Sequence, residues 1–574
     1  MRLHRTLTWL LLPLAWSCSG EPEYDLIVGG GTVYDGSGEA GFTGDVAIRG
    51  DRIVYVGPEA PGEARREIDA AGQAVAPGFI NMLSWSNESL LIDGRGQGEL
   101  RQGVTLEVMG EGESMGPLTP EMKQDVVAQQ GDLKYPVKWT TLGEYLETLE
   151  RKGVSLNVAS HIGAATARMN LLASADVDPT PRQLAAMQEV VRKAMEEGAL
   201  GVGSSLIYVP GTFAETDELV ALAATAARCG GIYATHMRNE GPGLLQAIDE
   251  TIEISRRSGA PAEIYHLKAA GRENWPRMDE AIARIEAARR EGLRITADMY
   301  AYPAGSTGLD AAMPPWVQAG GNAAWYARLR DPVVRQRVAA EMRAEDTDWE
   351  NLMRAAGGAE NVLIVVLRKP ELKPMIGKTL AEIARERGVS PEDAAMDLVA
   401  GDKSRVGAIY FLMSEDQVRR KVALPFMSFG SDGTAVTAEG VFLQSNLHPR
   451  GYGNFARVFA RYVRDEKLVT IEDAVRRMTA HPATVLGLKD RGRLKAGYYA
   501  DVVTFDPDTI QDHATYVKPH QYATGVSQVI VNGVLALENG EPTDARPGRF
   551  VRGRGWTGWP DGGCRASARD WDWP

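Results

Sequence analysis

The sequence predicts an α/β fold: a (β/α)8 TIM-type barrel, with a small β-sandwich formed by the N- and C-terminal segments and a long insertion between barrel strands 7 and 8. Three observations predict it. Apolar runs of strand length alternate with helical patterns along the middle of the chain. Short strand-like segments bounded by Gly and Asp turns occur at both ends. One late connection is far longer than the connections inside compact domains usually are.

The predicted barrel domain covers residues 74–486. Its apolar runs are residues 74–85, 104–109, 155–160, 198–208, 231–235, 262–265, 294–300 and 424–428. Helical patterns separate most of them, at residues 142–152, 181–197, 217–229, 241–258 and 275–291. Eight strands with intervening helices favour a closed barrel. A doubly wound sheet is the alternative, and it would not bring the first and eighth strands together.

The two chain ends are predicted to form one β-sandwich domain, residues 24–73 and 487–550. The strand-like segments are residues 24–33, 44–49, 52–56, 500–505, 526–531 and 534–537. Asn532-Gly533, between two apolar runs, is a strong hairpin signal. Two separate terminal hairpins are the alternative, which is disfavoured because neither half alone would bury much surface.

Residues 303–423 separate the seventh and eighth predicted strands. This insertion has helical patterns of its own, at residues 333–343, 380–387, 391–399 and 415–422. Connections this long are usually functional, so we expect the insertion to cover the barrel mouth and help select the substrate. The tail, residues 551–574, is rich in Trp, Gly and Arg and predicts no clear element; it either wraps the surface or is disordered.

Residues 1–20 have the features of a secretory signal. Arg2 and Arg5 precede an apolar run, residues 7–16, that is too short to span a bilayer. Cys18 lies where a bacterial lipoprotein signal places its lipidated cysteine. The sequence therefore predicts an exported protein, periplasmic or an outer-membrane lipoprotein. Plain cleavage and release into the periplasm is the alternative to a lipid anchor at Cys18.

Composition and charge restrict the partners. The 574 residues are 44% hydrophobic and 24% charged, as in an ordinary soluble globular protein. The formal net charge of −13 argues against nucleic acid or an anionic membrane surface as the main partner. Besides Cys18 the chain has only Cys229 and Cys564. These two predict no disulfide framework, and neither has a metal-ligand spacing.

Two histidines carry the strongest chemical signal. The apolar runs 231–235 and 262–265 are followed by His236 and His266, with a helical pattern between them. Neighbouring strands of a parallel sheet lie roughly 4.8 Å apart, so imidazoles at the ends of such neighbours can bind one metal ion. Two unrelated core histidines are the alternative.

Asp432 follows the eighth predicted strand, in PFMSFGSDG. At the barrel mouth this carboxylate can accept a proton from metal-activated water and pass it to a leaving group. Ser-Asp-Gly alone is usually only a turn, but its place after the last barrel strand favours the catalytic interpretation.

Several motifs together resemble the N-acyl-D-amino-acid deacylase (D-aminoacylase) group of the amidohydrolase superfamily. They are YATHMRNEG, YHLK, DMYAY, SFGSDG and HPRGYGNF, framed by APGFI near the start and HPATVLGLKDRGRLKAGYYADVVTFD near the end. The resemblance spans nearly the whole chain after the signal. It implies a zinc-bearing barrel with a flanking β-sandwich, in which zinc-activated water cleaves an amide.

The resemblance also assigns roles to individual residues. His236 and His266 match the two metal-binding histidines, and Asp432 matches the catalytic aspartate. The positions that match groups gripping the substrate carboxylate are Lys268, Tyr300 or Tyr302, Arg450 and, in SSLIYVPG, Tyr208. A guanidinium suits this role because it binds a carboxylate through two parallel hydrogen bonds. A surface arginine is the alternative for Arg450.

The chain departs from the group at the first strand. The group has His-x-His after Pro-Gly-Phe-Ile, whereas this chain reads PGFINMLSWSNES and has Leu83 and Trp85 at those places. Neither side chain binds zinc, so we expect the second metal position to be lost or badly weakened. One interpretation of Trp85 is that it stacks on an apolar or aromatic group of the substrate.

The second strand departs as well. The group has a ligating cysteine after Gly-Asn, but this chain reads VMGEGESMGP. Glu111 or Glu113 could supply a carboxylate instead, and we favour Glu111 because it follows the strand end directly. Two histidines, one glutamate and one water complete a tetrahedral zinc site, with one ion per chain. The alternative is that both glutamates only cap or solvate a loop.

His161, in NVASHIGAA, follows the third predicted strand and faces the same mouth by position. It either lines the pocket and binds substrate or packs as a structural histidine.

These patterns predict a zinc-dependent amidohydrolase. Its expected substrates are small molecules, N-acyl amino acids of the D type by resemblance, or small dipeptides. One alternative is a catalytically degenerate barrel that binds a carboxylate-bearing ligand. Another is a cyclic-amide hydrolase or a deaminase of the same superfamily.

Overall fold

The structure is a computed structural model that describes residues 22–345 and 347–565. The predicted signal at residues 1–20 and Cys18 lie outside the described residues, as does the end of the predicted tail. Among the described helices, none is both long enough and apolar enough to cross a membrane.

The strands are, in chain order, β1 Leu26–Val33, β2 Phe42–Arg49, β3 Arg52–Gly57, β4 Glu67–Asp69, β5 Ala74–Pro77, β6 Phe79–Asn81, β7 Val104–Met109, β8 Asn157–Ser160, β9 Ile162–Gly163, β10 Gly201–Ser205, β11 Ile232–His236, β12 Ala262–Ile264, β13 Ile295–Met299, β14 Gly305–Gly308, β15 Val362–Val366, β16 Gly407–Tyr410, β17 Met427–Phe429, β18 Val502–Phe505, β19 Val526–Val531, β20 Val534–Glu538 and β21 Glu541–Pro542.

The α-helices are α1 Ser89–Ile92, α2 Gln97–Leu100, α3 Pro120–Gln129, α4 Leu142–Lys152, α5 Ala164–Leu172, α6 Pro181–Glu197, α7 Thr216–Arg228, α8 Leu244–Ser258, α9 Met278–Arg290, α10 Asn322–Arg328, α11 Pro332–Arg343, α12 Leu352–Ala355, α13 Leu380–Arg387, α14 Pro391–Asp402, α15 Glu415–Val422, α16 Arg450–Arg457, α17 Ile471–Met478 and α18 Ala480–Val485. The local sequence explains where several of these helices begin. Thr141 and Glu144 form a capping box at the start of α4, which satisfies backbone N–H groups that the helix itself leaves unpaired.

The predicted barrel is confirmed. Strands β6, β7 and β8 pair in parallel, and so do β9, β10, β11, β12, β13 and β17, with β9 continuing the line of β8. The barrel closes where the amide of Met82 donates to the carbonyl of Phe429 (3.4 Å) and the amide of Asp432 donates to the carbonyl of Leu83 (2.9 Å). This closure joins the first and eighth strands, which a doubly wound sheet would keep apart.

The first predicted run, residues 74–85, is divided between two sheets. β5 pairs antiparallel with β18 of the terminal sheet, and β6 then pairs in parallel with β7 of the barrel. Gly78 lies between them. A Cβ at this position would be 2.2 Å from the side chain of Thr105, so only glycine allows this close approach.

The chain ends form one β domain beside the barrel. Its strands follow the order β21-β20-β19-β18-β5-β1-β2-β3, with β4 paired to β1. The predicted hairpin is confirmed, because Asn532 and Gly533 both have positive φ, 49° and 81°, between β19 and β20.

The insertion has its own three-stranded sheet, β14-β16-β15, and its own apolar core. Its segments next to β14 and β16 reach the cavity at the barrel mouth. The insertion therefore contributes to the wall of this cavity, and its expected part in substrate selection stays a prediction.

The chain after β21 crosses the opposite end of the barrel. Phe550 pairs with Val158 of β8, and the amide of Gly553 donates to the carbonyl of Gly198 before β10 (2.9 Å). A disulfide then joins Cys564 to Cys229, which precedes β11, across a sequence separation of 335. This bond corrects the expectation drawn from the low cysteine count. The two residues meet only because the tail returns to the start of the fifth barrel strand.

Candidate active site

A cavity of about 360 Å³ opens at the carboxyl ends of the barrel strands. Barrel residues form its floor and insertion residues form part of its wall. The residues of the predicted site that line it are Glu111, Tyr208, His236, His266, Lys268, Tyr300, Asp432 and Arg450. Parallel strands place their carboxyl ends at one mouth, so residues far apart in sequence converge there.

Glu111, His236 and His266 form a buried cluster that could hold a metal ion. Oε1 of Glu111 lies 2.9 Å from Nδ1 of His236 and 3.3 Å from Nε2 of His266. One ligand atom from each residue falls within 4.8 Å of the others. Two imidazoles and one carboxylate are a donor set that zinc prefers, with a fourth position left for water or substrate.

Glu240 orients both histidines from behind. Its Oε1 lies 3.1 Å from Nδ1 of His266, and its Oε2 lies 3.3 Å from Nε2 of His236. The carboxylate thus engages the ring nitrogens that face away from Glu111, and such contacts fix the orientation of metal-binding histidines. Sequence reasoning missed Glu240, although it stands four residues after His236 in the quoted motif THMRNEG.

The charges of the side chains in the cluster of Glu111, His236 and His266 favour a bound cation. Burial alone would raise the pKa of Glu111, but hydrogen bonds from His236 and His266 hold that pKa well below its ordinary value. Burial alone would lower the pKa of His236, but Glu240 and Glu111 raise it to about 9. The donor set and its charge therefore fit a divalent metal ion.

Asp432 lies three residues after β17, with a positive φ of 47°. Its Oδ2 is 2.9 Å from a terminal guanidinium nitrogen of Arg450, and its Oδ1 accepts a hydrogen bond from the indole nitrogen of Trp85 at 3.1 Å. Burial raises the pKa of Asp432, although Arg450 opposes that shift. A carboxylate with a raised pKa at a cavity wall suits proton transfer.

Arg450 and Tyr300 form one polar wall of the cavity. The guanidinium lies 4.5 Å from the centre of the Tyr300 ring. Nε of Arg450 is buried and has no hydrogen-bond partner among the described residues. The guanidinium as a whole borders the cavity, and a planar guanidinium suits an incoming carboxylate.

Lys268 also lines the cavity, but its charge is compensated. Its Nζ lies 2.7 Å from each carboxylate oxygen of Glu240 and 2.8 Å from Nδ1 of His266. Tyr208 stands edge-on to the ring of His236 at 5.2 Å. Both residues therefore border the metal cluster.

Tyr302 lies outside the cavity lining. Its hydroxyl is 3.5 Å from Asp512, and its ring stands at 89° to that of His448, 5.4 Å away. Of the two tyrosines left open by the sequence, the structure places Tyr300 at the cavity.

His161 lies outside the cavity lining. It is buried, and neither ring nitrogen has a hydrogen-bond partner among the described residues. Burial lowers its pKa to about 3, so the ring is neutral at ordinary pH. Of the two alternatives that the sequence left open for His161, its place outside the cavity lining and beside Tyr265, with ring centres 6.4 Å apart, favours the packed histidine.

Glu113 lies outside the metal cluster. Its side chain is exposed, and the charges nearest to it are those of Arg405 and Asp310 of the insertion. Of the two glutamates that the sequence offered, Glu111 is therefore the one in the cluster. Arg405, which sequence reasoning did not single out, lies over the Tyr208 ring at 4.7 Å and lines the cavity.

The two departures at the first strand have different surroundings. Leu83 is fully buried in the main apolar core. Trp85 lines the cavity, and its indole nitrogen donates to Oε2 of Glu111 at 3.0 Å as well as to Asp432. The polar edge of Trp85 thus faces two carboxylates.

Comparison with known proteins gives a consistent result. Residues 66–536 match the profile of the amidohydrolase family. The chain is 33% identical to an N-acyl-D-glutamate deacylase of Alcaligenes xylosoxydans xylosoxydans over 538 residues, 93% of this chain and 97% of the relative.

Solved structures of deacylases are also similar to this chain in sequence and fold. A D-aminoacylase with a binuclear metal centre is 34% identical, with a TM-score of 0.76, covering 92% of this chain and 100% of the other. An N-acyl-D-glutamate deacylase of Bordetella bronchiseptica, complexed with zinc and a phosphonate mimic of the tetrahedral intermediate, is 31% identical, with a TM-score of 0.75 over 92% of this chain and 99% of the other.

Proposed function

Because this chain belongs to the amidohydrolase family, we propose that it is a zinc-dependent hydrolase that cleaves the amide bond of N-acyl-D-amino acids. The observation that carries the proposal is the buried cluster of Glu111, His236 and His266, with Asp432 on the same cavity. Relatives of similar length act on N-acyl-D-glutamate and N-acyl-D-aspartate, which supports this substrate class.

Nδ1 of His236, Nε2 of His266 and the carboxylate of Glu111 would hold one zinc ion. When bound, zinc acts as a Lewis acid toward water and toward an amide carbonyl. Glu240 helps to hold the orientation of the two imidazoles, because its carboxylate lies against the nitrogens opposite to those near Glu111.

Asp432 takes a proton from the attacking water and delivers it to the departing amine. Its raised pKa suits both steps, because a stronger base accepts the proton more readily and the resulting acid can still donate it. Arg450 contacts Asp432 through one nitrogen, and its guanidinium borders the cavity where the substrate carboxylate would lie. Tyr300 supports that guanidinium with its ring.

The alternative, a binding protein without turnover, accounts for fewer features of the cavity. Such a protein needs a clamp for the ligand carboxylate, but not a metal cluster beside a buried carboxylate of raised pKa. Retention of His236, His266 and Asp432 around one cavity therefore favours the enzyme.

The test is a hydrolysis screen with zinc quantification on the same preparation. N-acetyl-D-amino acids, their L-enantiomers and small dipeptides are supplied to the purified full chain, and free amine is measured. We expect hydrolysis of D-substrates, about one zinc per chain, and loss of activity with a chelator that zinc restores. Zinc-loaded protein that hydrolyses none of these amides would overturn the proposal.

We also propose that the protein is exported and anchored by a lipid at Cys18. Supporting observations are the signal features of residues 1–20 and the disulfide between Cys229 and Cys564. Disulfides persist in oxidising compartments such as the periplasm. Fractionation with labelled fatty acid tests this. Wild-type protein should be labelled and membrane-associated, and Cys18→Ala should be neither.

A further inference from the structure

We propose that Trp85 is a positioning residue whose indole N–H joins the metal ligand Glu111 to Asp432 and so makes the centre mononuclear. The inference rests on the proposed function. It goes beyond loss of a metal ligand, because it assigns to Trp85 the bridging position between the two carboxylates.

The four carboxylate oxygens of Glu111 and Asp432 contact three kinds of group: the two histidines, Arg450 and the indole of Trp85. Oε1 of Glu111 faces the two histidines, and Oδ2 of Asp432 faces Arg450 at 2.9 Å. The remaining two oxygens share the indole N–H, at 3.0 Å from Oε2 of Glu111 and 3.1 Å from Oδ1 of Asp432. Trp85 therefore engages the oxygens that the histidines and Arg450 leave free.

The backbone holds Trp85 in this place from both sides. The amide of Trp85 donates to the carbonyl of Gly433 at 2.7 Å, directly after Asp432. The amide of Ser84 donates to the carbonyl of Val108 at 2.8 Å, on the strand that leads to Glu111. The chain segment that carries the indole is thus hydrogen-bonded to the segments that carry both carboxylates, which fixes the bridge geometrically.

The chemistry of indole explains why a second cation is excluded. An indole N–H only donates, so it offers no lone pair to a metal ion, whereas imidazole offers one. Leu83 supplies no ligand either and is fully buried. Two nearby carboxylates would repel each other without a positive group between them, and the N–H dipole reduces that repulsion without adding a charge.

The experiment compares zinc binding and kinetics of the full chain after metal removal. Zinc is titrated by calorimetry into wild type, Trp85→Phe and Trp85→His, and kcat and KM are measured for each. Trp316→Phe is the matched control, because that indole also donates to a carboxylate, Oε2 of Glu341 at 2.7 Å, but lies in the insertion away from the metal cluster.

Wild type should bind one zinc per chain even with zinc in excess, and excess zinc should leave kcat unchanged. Trp85→Phe should bind its zinc about 10- to 100-fold more weakly, as loss of an outer partner of a ligand does. Its kcat should fall more than its KM changes, because the two carboxylates lose their shared donor. Trp85→His should bind additional zinc. Trp316→Phe should match wild type throughout.

Two equivalents of zinc in wild type would overturn the inference, as would a Trp85→Phe protein that matches the control in zinc affinity and kcat. If Trp85→Phe does not fold, judged by its thermal transition, wild-type stoichiometry and Trp85→His decide. The proposed function fails separately: in that case wild type binds no zinc at the cluster, or zinc-loaded wild type hydrolyses no amide.

Discussion

Asp432 and Arg450 form an aspartate–arginine pair at the cavity, and Asp512 and Arg457 form a comparable pair outside its lining. The pair that lines the cavity has a 2.9 Å contact, and the second, Asp512 with Arg457, has a 3.2 Å contact behind Tyr302. Both pairs join an aspartate to an arginine, but only the first lines the cavity. Comparing variants of the two aspartates therefore distinguishes an effect on proton transfer from the general effect of removing a charge from an ion pair.

We expect Asp432→Asn to lower kcat/KM by about 100- to 10,000-fold, the usual contribution of a positioned acid–base group. Zinc content should stay at the wild-type level, because Asp432 is not part of the cluster of Glu111, His236 and His266. Hydrolysis rates and metal analysis of the same sample provide the measurement. Asp512→Asn is the control and should keep most of its activity. Equal losses in both variants would contradict the catalytic role.

Glu240 is expected to support zinc binding through its contacts with His236 and His266. We expect Glu240→Gln to weaken zinc binding by about 10- to 100-fold, because the two histidines lose the carboxylate that orients them. Competition with a zinc chelator measures that affinity. Glu250→Gln is the control, since Glu250 is paired with Arg238 outside the cavity lining. Unchanged affinity in Glu240→Gln would show that the histidines need no such partner.

At the scale of single strands, the barrel interior contains carboxyl groups that the mechanism does not use. Glu263 on β12 is fully buried and accepts hydrogen bonds from the hydroxyls of Thr296 on β13 and Ser428 on β17. Burial raises its pKa to about 8 from an ordinary value of 4.5, although these hydrogen bonds oppose the shift. The folded protein therefore holds a proton there that the unfolded chain releases.

The proton on Glu263 makes the stability of the folded protein depend on pH. Between about pH 4.5 and pH 8 the folded state binds more protons at Glu263 than the unfolded state does, so stability falls as pH rises through that window. We expect Glu263→Gln to flatten this fall, because an amide keeps the shape without titrating. Chemical denaturation at pH 5, 6.5 and 8 measures it. Parallel curves for wild type and variant would contradict the assignment.

At the scale of the whole molecule, the C-terminal strap, residues 548–564, holds the barrel at the end away from the active site. The strap begins beside the first residues of β8. It ends at Cys564, which forms a disulfide with Cys229 just before β11. The cavity lies at the other ends of the same strands. The strap and the cavity therefore lie at opposite ends of the barrel.

We expect Cys564→Ser to lower the free energy of unfolding by about 2–4 kcal/mol, because the unfolded chain gains conformational freedom when the cross-link is removed. Its kcat and zinc content at room temperature should match wild type. Thermal denaturation with and without reductant measures the first effect, and reductant should destabilise wild type but not the variant. A large fall in kcat in a folded variant would contradict the separation of the two ends.

The sequence by itself determined the barrel, several of its helices and the places of His236, His266 and Asp432 after their strands. These depend on local patterns: apolar runs of strand length, helical spacing between them, and polar residues directly after each strand. For example, α4 and α13 have the predicted bounds, because their amphipathic patterns begin at capping boxes. The favoured choice of Glu111 over Glu113 followed from the same logic.

Only the tertiary structure decided which side chains meet. It showed Glu240 behind both histidines, the indole of Trp85 between two carboxylates, His161 packed outside the cavity, and the bond from Cys229 to Cys564. Each of these contacts joins groups from different strands or from opposite ends of the chain. Local sequence specifies which face of an element a residue occupies, but the neighbour across that face depends on how the whole barrel closes.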